Sequence, residues 1–258
     1  MIPNQVLSEV EFRVVGKRPI RPDGVDKVTG RAQYGADVQP TNLLHGKVLR
    51  SPHAHARILS IDTSQAERQP GVRAVVTAAD LPFASLTKAE LGGGYQGLKF
   101  ASDHVLAGGK VLYRGHPVAA LAADNPHQAE AALALIKVDY EELPAVVNVR
   151  EAMNDDAPLL HEDLYTSLMG EISTKPSNIA AYQTFETGDV EQGFLQADVV
   201  VEREFETASV HQGYIEPHNS TAFWNSDGQL TIWCSTQGAF PARDSVAQIL
   251  DMPVSNVR

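Results

Sequence analysis

Residues 118–144 read Val118-Ala119-Ala120-Leu121-Ala122-Ala123-Asp124-Asn125-Pro126-His127-Gln128-Ala129-Glu130-Ala131-Ala132-Leu133-Ala134-Leu135-Ile136-Lys137-Val138-Asp139-Tyr140-Glu141-Glu142-Leu143-Pro144, and this stretch decides the fold. The apolar run from Val118 to Ala123 has the length of a buried strand. Asn125 is a helix N-cap. Pro126 suits the first turn, where its missing amide leaves nothing unpaired, and Gln128 stands at the reciprocal capping position. Ala129, Ala132, Leu133 and Ile136 then recur at i, i+3, i+4 and i+7, which gives the helix one buried face. Lys137 to Glu142 reads as the following strand, and Leu143-Pro144 ends the unit. Strand, helix and strand in this order predict a mixed α and β domain of about 120 residues.

Working outward toward the N-terminus, Val72 to Thr77 is a further buried strand. Val48-Leu49 and Ile58 to Ile61 are short strands around the turn-prone Ser51-Pro52. Residues 1–25 read as an extended arm, because Arg18-Pro19, Arg21-Pro22 and Asp23-Gly24 fix turns without apolar period. Toward the C-terminus, residues 146–185 read as a connecting segment, rich in turn material such as Asn154-Asp155-Asp156 and Lys175-Pro176. Asp189 caps a short helix with Val190, Phe194 and Ala197 on one face. From Asp198 a strand is expected, in which Val201, Arg203, Phe205 and Thr207 alternate with Glu202, Glu204 and Glu206. Thr221 to Trp224 and Leu230 to Cys234 form a hairpin turned at Asn225 to Gly228. A last helix runs from about Pro241 to Leu250, with Val246, Ala247 and Leu250 on one side.

The chain has 258 residues, with 21 Lys and Arg against 32 Asp and Glu, a net charge of −11. That balance carries no basic stripe for nucleic acid. No apolar run reaches the roughly 18 residues of a membrane span, and Met1 to Arg18 lacks the order of a secretory signal. The expectation is a cytoplasmic protein. With Cys234 as the single cysteine, this chain builds neither a disulfide nor an iron–sulfur cluster.

Three local patterns are weighed as chemistry. Gly92, Gly94 and Gly97 satisfy G-x-G-x-x-G, but Leu86 to Leu91 reads as helical and the residues after Gly97 as too few for a helix, so a flexible glycine loop is the preferred reading over a dinucleotide site. His53 and His55 share a strand face, yet no further ligand completes a tetrahedron, so a polar strand edge is preferred. Third, His211 to His218 concentrates His, Gln, Glu and Tyr beside turn residues, and Ser235-Thr236-Gln237-Gly238 ends a strand just before a helix. Such a loop presents free backbone N–H groups at a positive dipole end, where anionic oxygens are stabilised, and Gln237 adds a side-chain amide. The bland alternative is a polar strand end that merely caps the helix.

At this point the order of several segments takes on meaning. Val28-Thr29-Gly30-Arg31-Ala32-Gln33-Tyr34 through Gly46, Arg50 to Ala56, Tyr113 to Ala120 and Val138 to Val146 resemble an a/b hammerhead domain. Gly188-Asp189-Val190, Gln212 to Pro217 and Ser235-Thr236-Gln237 resemble the start of a molybdopterin-binding domain. Together the chain resembles the N-terminal part of the molybdenum-binding large subunit of the xanthine dehydrogenase/aldehyde oxidase family, the molybdenum hydroxylases. The resemblance implies an α+β chain: an arm at 1–25, the a/b hammerhead at 26–145, a connection at 146–185, and the incomplete start of the molybdopterin-binding domain at 186–258.

It also implies the chemistry. The family inserts oxygen from water at an electron-poor carbon of an aldehyde, a purine or an N-heterocycle. Gln237 and Gly238 are thereby assigned to cofactor binding, with Gln237 donating to an oxo ligand of molybdenum without touching the metal. A neutral amide donor stabilises charge growing on that oxygen and adds no titratable group. The cofactor expected is molybdopterin in its cytosine dinucleotide form, with iron–sulfur clusters and FAD on partner chains. Partners expected are the remainder of the molybdenum subunit, an iron–sulfur subunit, a FAD subunit, a small-molecule substrate and a second copy in a homodimer. The family's glycine-rich loop and catalytic glutamate do not occur before Arg258, and Glu216 is not promoted to that role. The chain is therefore expected to be a truncated or split subunit, without catalytic residues and inactive alone. The rival expectations are a non-catalytic module docking iron–sulfur and flavin subunits, and a nucleotide-binding protein using residues 92–97. An exposed apolar surface on the C-terminal part is expected as well.

Overall fold

A computed structural model of the chain describes residues 12–82, 95–163, 165–168 and 171–258. The first unit runs α1 (Gly24–Val28), β1 (His45–Arg50), β2 (Ala56–Asp62), α2 (Ser64–Glu67), β3 (Val72–Thr77), α3 (Tyr95–Val105), β4 (Lys110–Val111), β5 (Pro117–Ala123), α4 (Pro126–Leu133) and β6 (Lys137–Glu142). It builds two antiparallel sheets of three strands, in the orders β1-β5-β3 and β4-β2-β6.

Strand β5 takes the centre of its sheet because Val118, Ala119, Leu121 and Ala123 all lose their solvent. Its alanines are short, so α4 approaches closely, and Ala66, Ala119, Leu121, Ala123, Ala129, Ala132 and Ile136 form one core cluster. A second cluster of Ala56, Ala107, Val111 and Val118 lies under the other sheet. Ile61 and Val138 pack against both clusters, so the two sheets share a continuous interior. Each buried methyl contributes only about 0.8 kcal/mol, which makes close packing rather than bulk the source of cohesion here.

Asn125 starts α4 as expected: its Oδ1 accepts the Gln128 N–H at 2.9 Å. The reciprocal bond closes side chain to side chain, Asn125 Nδ2 donating to Gln128 Oε1 at 2.8 Å, and not onto the Asn125 backbone amide. Gly71 lies beneath this cap with φ +85°, and a Cβ there would stand 2.3 Å from Gln128 Oε1. His116 is fully buried between β4 and β5. Its Nδ1 accepts the Leu112 N–H at 3.2 Å, so Nε2 carries the proton that it donates to the Asp103 carbonyl at 2.7 Å.

Two expectations change at the edges of this unit. Gly97 lies inside helix α3, whereas the residues after the glycine motif read as too short for a helix; one interior glycine costs a helix only about 1 kcal/mol, too little to end it. Gly92 and Gly94, the helix expected at Leu86 to Leu91, and residues 1–11 of the arm lie outside the described residues. The stretch 146–185, expected as a connection, carries α5 (Val149–Ala152) and a small sheet of β7 (Tyr165–Leu168), β8 (Glu171–Pro176) and β9 (Ala181–Tyr182). Its Ser and Thr content gives no apolar alternation, so nothing local announces these strands.

The C-terminal part holds α6 (Val190–Gln196), β10 (Ser220–Trp224), β11 (Leu230–Cys234) and α7 (Ala239–Ile249). Asp189 caps α6 by accepting the Gln192 N–H at 2.8 Å. Strands β10 and β11 pair antiparallel from Ser220 opposite Cys234 to Trp224 opposite Leu230. Asn225 Oδ1 closes the turn by accepting from the amides of Asp227 and Gln229. The strand expected from Asp198 does not form: residues 198–219 hold no regular secondary structure and are exposed. Alternation states which face each side chain would take, but a strand exists only where another strand pairs with it, and among the described residues none does.

Candidate cofactor site

Beyond α7 the chain returns alongside β11. Leu230 and Val257 form a parallel bridge, Ile232 N–H donates to the Arg258 carbonyl at 2.7 Å, and Arg258 N–H donates to the Leu230 carbonyl at 2.8 Å. Strand β11, helix α7 and residues 257–258 therefore make a β-α-β crossover. Ser235 to Gly238 is its strand-to-helix loop, at the carboxyl end of β11. That is where α/β sheets place their ligands, because helix amides and strand ends converge there.

Gly238 is the N-cap of α7 and has no side chain to cap it. Its own N–H is taken by Thr236 Oγ1 at 3.2 Å. Pro241, within the first turn, has no N–H to offer, and among the described residues the amides of Ala239 and Phe240 have no acceptor. Gln237 is exposed, and among the described residues its side chain makes no hydrogen bond. A Cβ on Gly238 would meet Pro241 Cγ and Cδ at 3.2 Å, so glycine leaves the helix entrance open. Among the described residues no three His, Cys, Asp or Glu side chains converge as metal ligands. Donors of this kind, an amide side chain and backbone N–H groups, suit oxygen-rich groups that carry their own metal.

The cluster at 211–218 lies beside this loop. Ser235 Oγ donates to Glu216 Oε1. His211, Tyr214 and His218 stack in series, with ring centroids 4.9 and 5.1 Å apart. A cleft of about 560 Å3 runs between Tyr34, Gly35, Asp37, Glu216, His218 and Ser235. The Tyr34–Asp37 wall is a contribution that sequence patterns did not announce. It is a short 3-10 turn fastened by Thr221, whose buried hydroxyl donates to the Gly35 carbonyl at 3.0 Å. Gly35 keeps this junction uncrowded, since a Cβ there would stand 3.2 Å from Asn219 Oδ1 and from the Trp233 carbonyl, tighter than an ordinary contact.

The other candidates lie elsewhere. His55 is buried with Nδ1 2.7 Å from the Pro144 carbonyl and Nε2 unpartnered. His53 packs edge-on against Tyr140 at 4.9 Å, so the two histidines part company and form no metal site. Burial raises the Tyr140 hydroxyl above its ordinary pKa, against a lesser opposite pull from Ser51. Cys234 is exposed and unpaired at the end of β11. No helix among the described residues is long and apolar enough to cross a membrane.

This fold and site define a chain that couples a hammerhead to the beginning of a cofactor domain. Residues 29–144 match the family model of the aldehyde oxidase and xanthine dehydrogenase a/b hammerhead domain, and residues 172–258 match that of the molybdopterin cofactor-binding domain. The chain belongs to the xanthine dehydrogenase/aldehyde oxidase family. It is 36% identical to a probable xanthine dehydrogenase subunit of Bacillus subtilis, over 93% of this chain and 29% of that one. It is 32% identical to the nicotinate dehydrogenase large molybdopterin subunit of Eubacterium barkeri, over 96% of this chain and 53% of that one. The structure of a copper–molybdenum carbon monoxide dehydrogenase superposes with a TM-score of 0.73 at 33% identity, covering 94% of this chain and 30% of that one. The chain thus spans about a third to a half of these relatives.

Proposed function

We propose that this chain is the hammerhead and the first cofactor-domain segment of a molybdenum hydroxylase, an oxidoreductase that places water-derived oxygen on an electron-poor carbon of an aldehyde, purine or N-heterocycle. Residues 26–145 and 186–258 are assigned to the two domains, and Gln237 and Gly238 to the cofactor. The observation that carries the assignment is the uncapped start of α7 at the carboxyl end of β11, with the Gln237 amide free beside it.

When bound, the molybdenum cofactor supplies the redox centre for two-electron oxidation and oxygen transfer. This chain's part is to hold and tune. The amides that open α7 offer donors and a positive dipole end to anionic oxygens, which suits a phosphate-bearing pterin; the cytosine dinucleotide form is proposed from the family resemblance. The Gln237 amide donates without titrating, so its effect on a nearby oxygen does not change with pH. A single cysteine cannot ligate an iron–sulfur cluster, so the clusters lie outside these 258 residues; their place and that of FAD on partner chains, and a cytoplasmic setting, are proposed from the family resemblance.

The test is Gln237→Ala in the full-length enzyme produced in a cofactor-making host. Dye-linked turnover is expected to fall about 100-fold, the usual cost of removing one such donor, with molybdenum per chain within about twofold of wild type. Unchanged turnover overturns the assignment of Gln237. The 258-residue chain alone is expected to show no dye-linked oxidation of an aldehyde or N-heterocycle, and measurable oxidation overturns that part of the proposal.

A further inference from the structure

Glu216 and Ser235 join two polar clusters that the sequence keeps 19 residues apart. Glu216 precedes Pro217, whose ring restricts it to an extended backbone, so the carboxylate is offered from a stiff dipeptide. Ser235 directly follows Cys234, the last paired residue of β11. One residue later, Thr236 Oγ1 grips both the Gly238 N–H and the Gly238 carbonyl, at 3.2 and 3.3 Å. The loop is therefore fastened on both sides of Gln237, whose own side chain stays free among the described residues. From behind, Thr221 of β10 ties the same hairpin to the Tyr34–Asp37 turn by donating to the Gly35 carbonyl at 3.0 Å.

We infer that Glu216 is a positioning residue: through Ser235 it holds the loop carrying Gln237 in one conformation, so that the amide is set before any ligand arrives. The inference rests on reading 235–238 as the cofactor-facing loop. A hydroxyl donated to a carboxylate is stronger than one donated to a neutral acceptor. A preset donor also avoids the ordering cost that a free loop would incur on binding.

Hydrogen exchange on the chain tests it at the Gly238 amide, the loop N–H that Thr236 Oγ1 holds, with Phe223 and Ile232 in β10 and β11 as controls. Glu216→Ala and Ser235→Ala are each expected to speed exchange of the Gly238 amide about fivefold, in line with the net worth of one hydrogen bond. The double variant should exchange no faster than either single one, because both remove the same bond. Glu216→Gln, whose amide oxygen still accepts, should stay within about twofold of wild type. Additive effects, unchanged loop exchange in Glu216→Ala, or acceleration spread evenly over the controls overturns the inference. Ser235→Ala removes the bond from the other side, so the comparison holds even if one variant fails to fold. Coupled exchange with a silent Gln237→Ala would sink the cofactor reading and leave the latch. Full loss of turnover in Gln237→Ala with uncoupled exchange would do the reverse.

Discussion

At His116 the fold has built a neutral imidazole into its interior. Nδ1 must accept from Leu112 and Nε2–H must donate to Asp103, so a second proton has no place to sit. Burial, the largest influence, pushes its pKa below the ordinary 6.5. The unfolded chain therefore takes up a proton near pH 6.5 that the folded chain refuses, and stability is complete above that pH and lost as pH falls below it. Thermal unfolding between pH 8 and pH 5 should show the melting temperature dropping below pH 6.5, and His116→Gln should flatten that drop. A variant with the wild-type pH slope would remove His116 as its source. Residue identities made parts of the candidate site legible: Gln237 and Gly238 stand out as an amide and a glycine between a strand and a helix, their role toward a cofactor remaining the proposal above. Tyr34 to Asp37 did not stand out, because their role comes from docking on a hairpin about 185 residues away, through Thr221. His116 likewise shows no sign in sequence of the backbone groups that surround it.

Elements were legible where their rules are local. The cap at Asn125, the face of α4, strands β3 and β6 and the turn of the β10–β11 hairpin all depend on residues within a few positions of one another. Asn125→Ala should therefore cost about 1 kcal/mol, read as a lower urea midpoint with unchanged slope, and the α4 amides should lead the loss of exchange protection. A change in slope instead would mean that more than the cap had been disturbed. Gly71→Ala should cost more, about 1–3 kcal/mol, because a left-handed backbone and the displaced Gln128 side chain add together. The elements that escaped reading obey non-local rules. Residues 198–207 carry strand alternation, yet like-charged Glu202, Glu204 and Glu206 share one face and no described strand accepts the edge. Strands β7 to β9 are the converse: they pair without an apolar pattern, so their partners rather than their composition create them.

At the scale of the whole molecule, charge and apolar exposure pull in opposite directions. The chain carries a net −11, which keeps copies apart. Yet Phe185, Phe205 and Ile215 are 92%, 89% and 97% exposed, and a groove follows Val190, Phe194, Ala197 and Val199 to Val201. An apolar stretch of this extent is the kind of surface that partners cover. In the isolated chain a second copy is the partner at hand, and self-association is then limited by like-charge repulsion. Salt shortens the range of that repulsion from about 10 Å at 0.1 M to about 3 Å at 1 M, while apolar burial is not weakened by it. Light scattering of the chain should accordingly show the weight-average mass rising between 0.05 and 0.5 M NaCl, and Phe205→Glu combined with Ile215→Glu should keep it monomeric throughout. A mass that falls with added salt would mean instead that opposite charges hold the copies together, placing the contact on the basic stretch from Arg13 to Arg31 and the acidic one from Glu186 to Glu206. The apolar groove would then be left without a role in self-association.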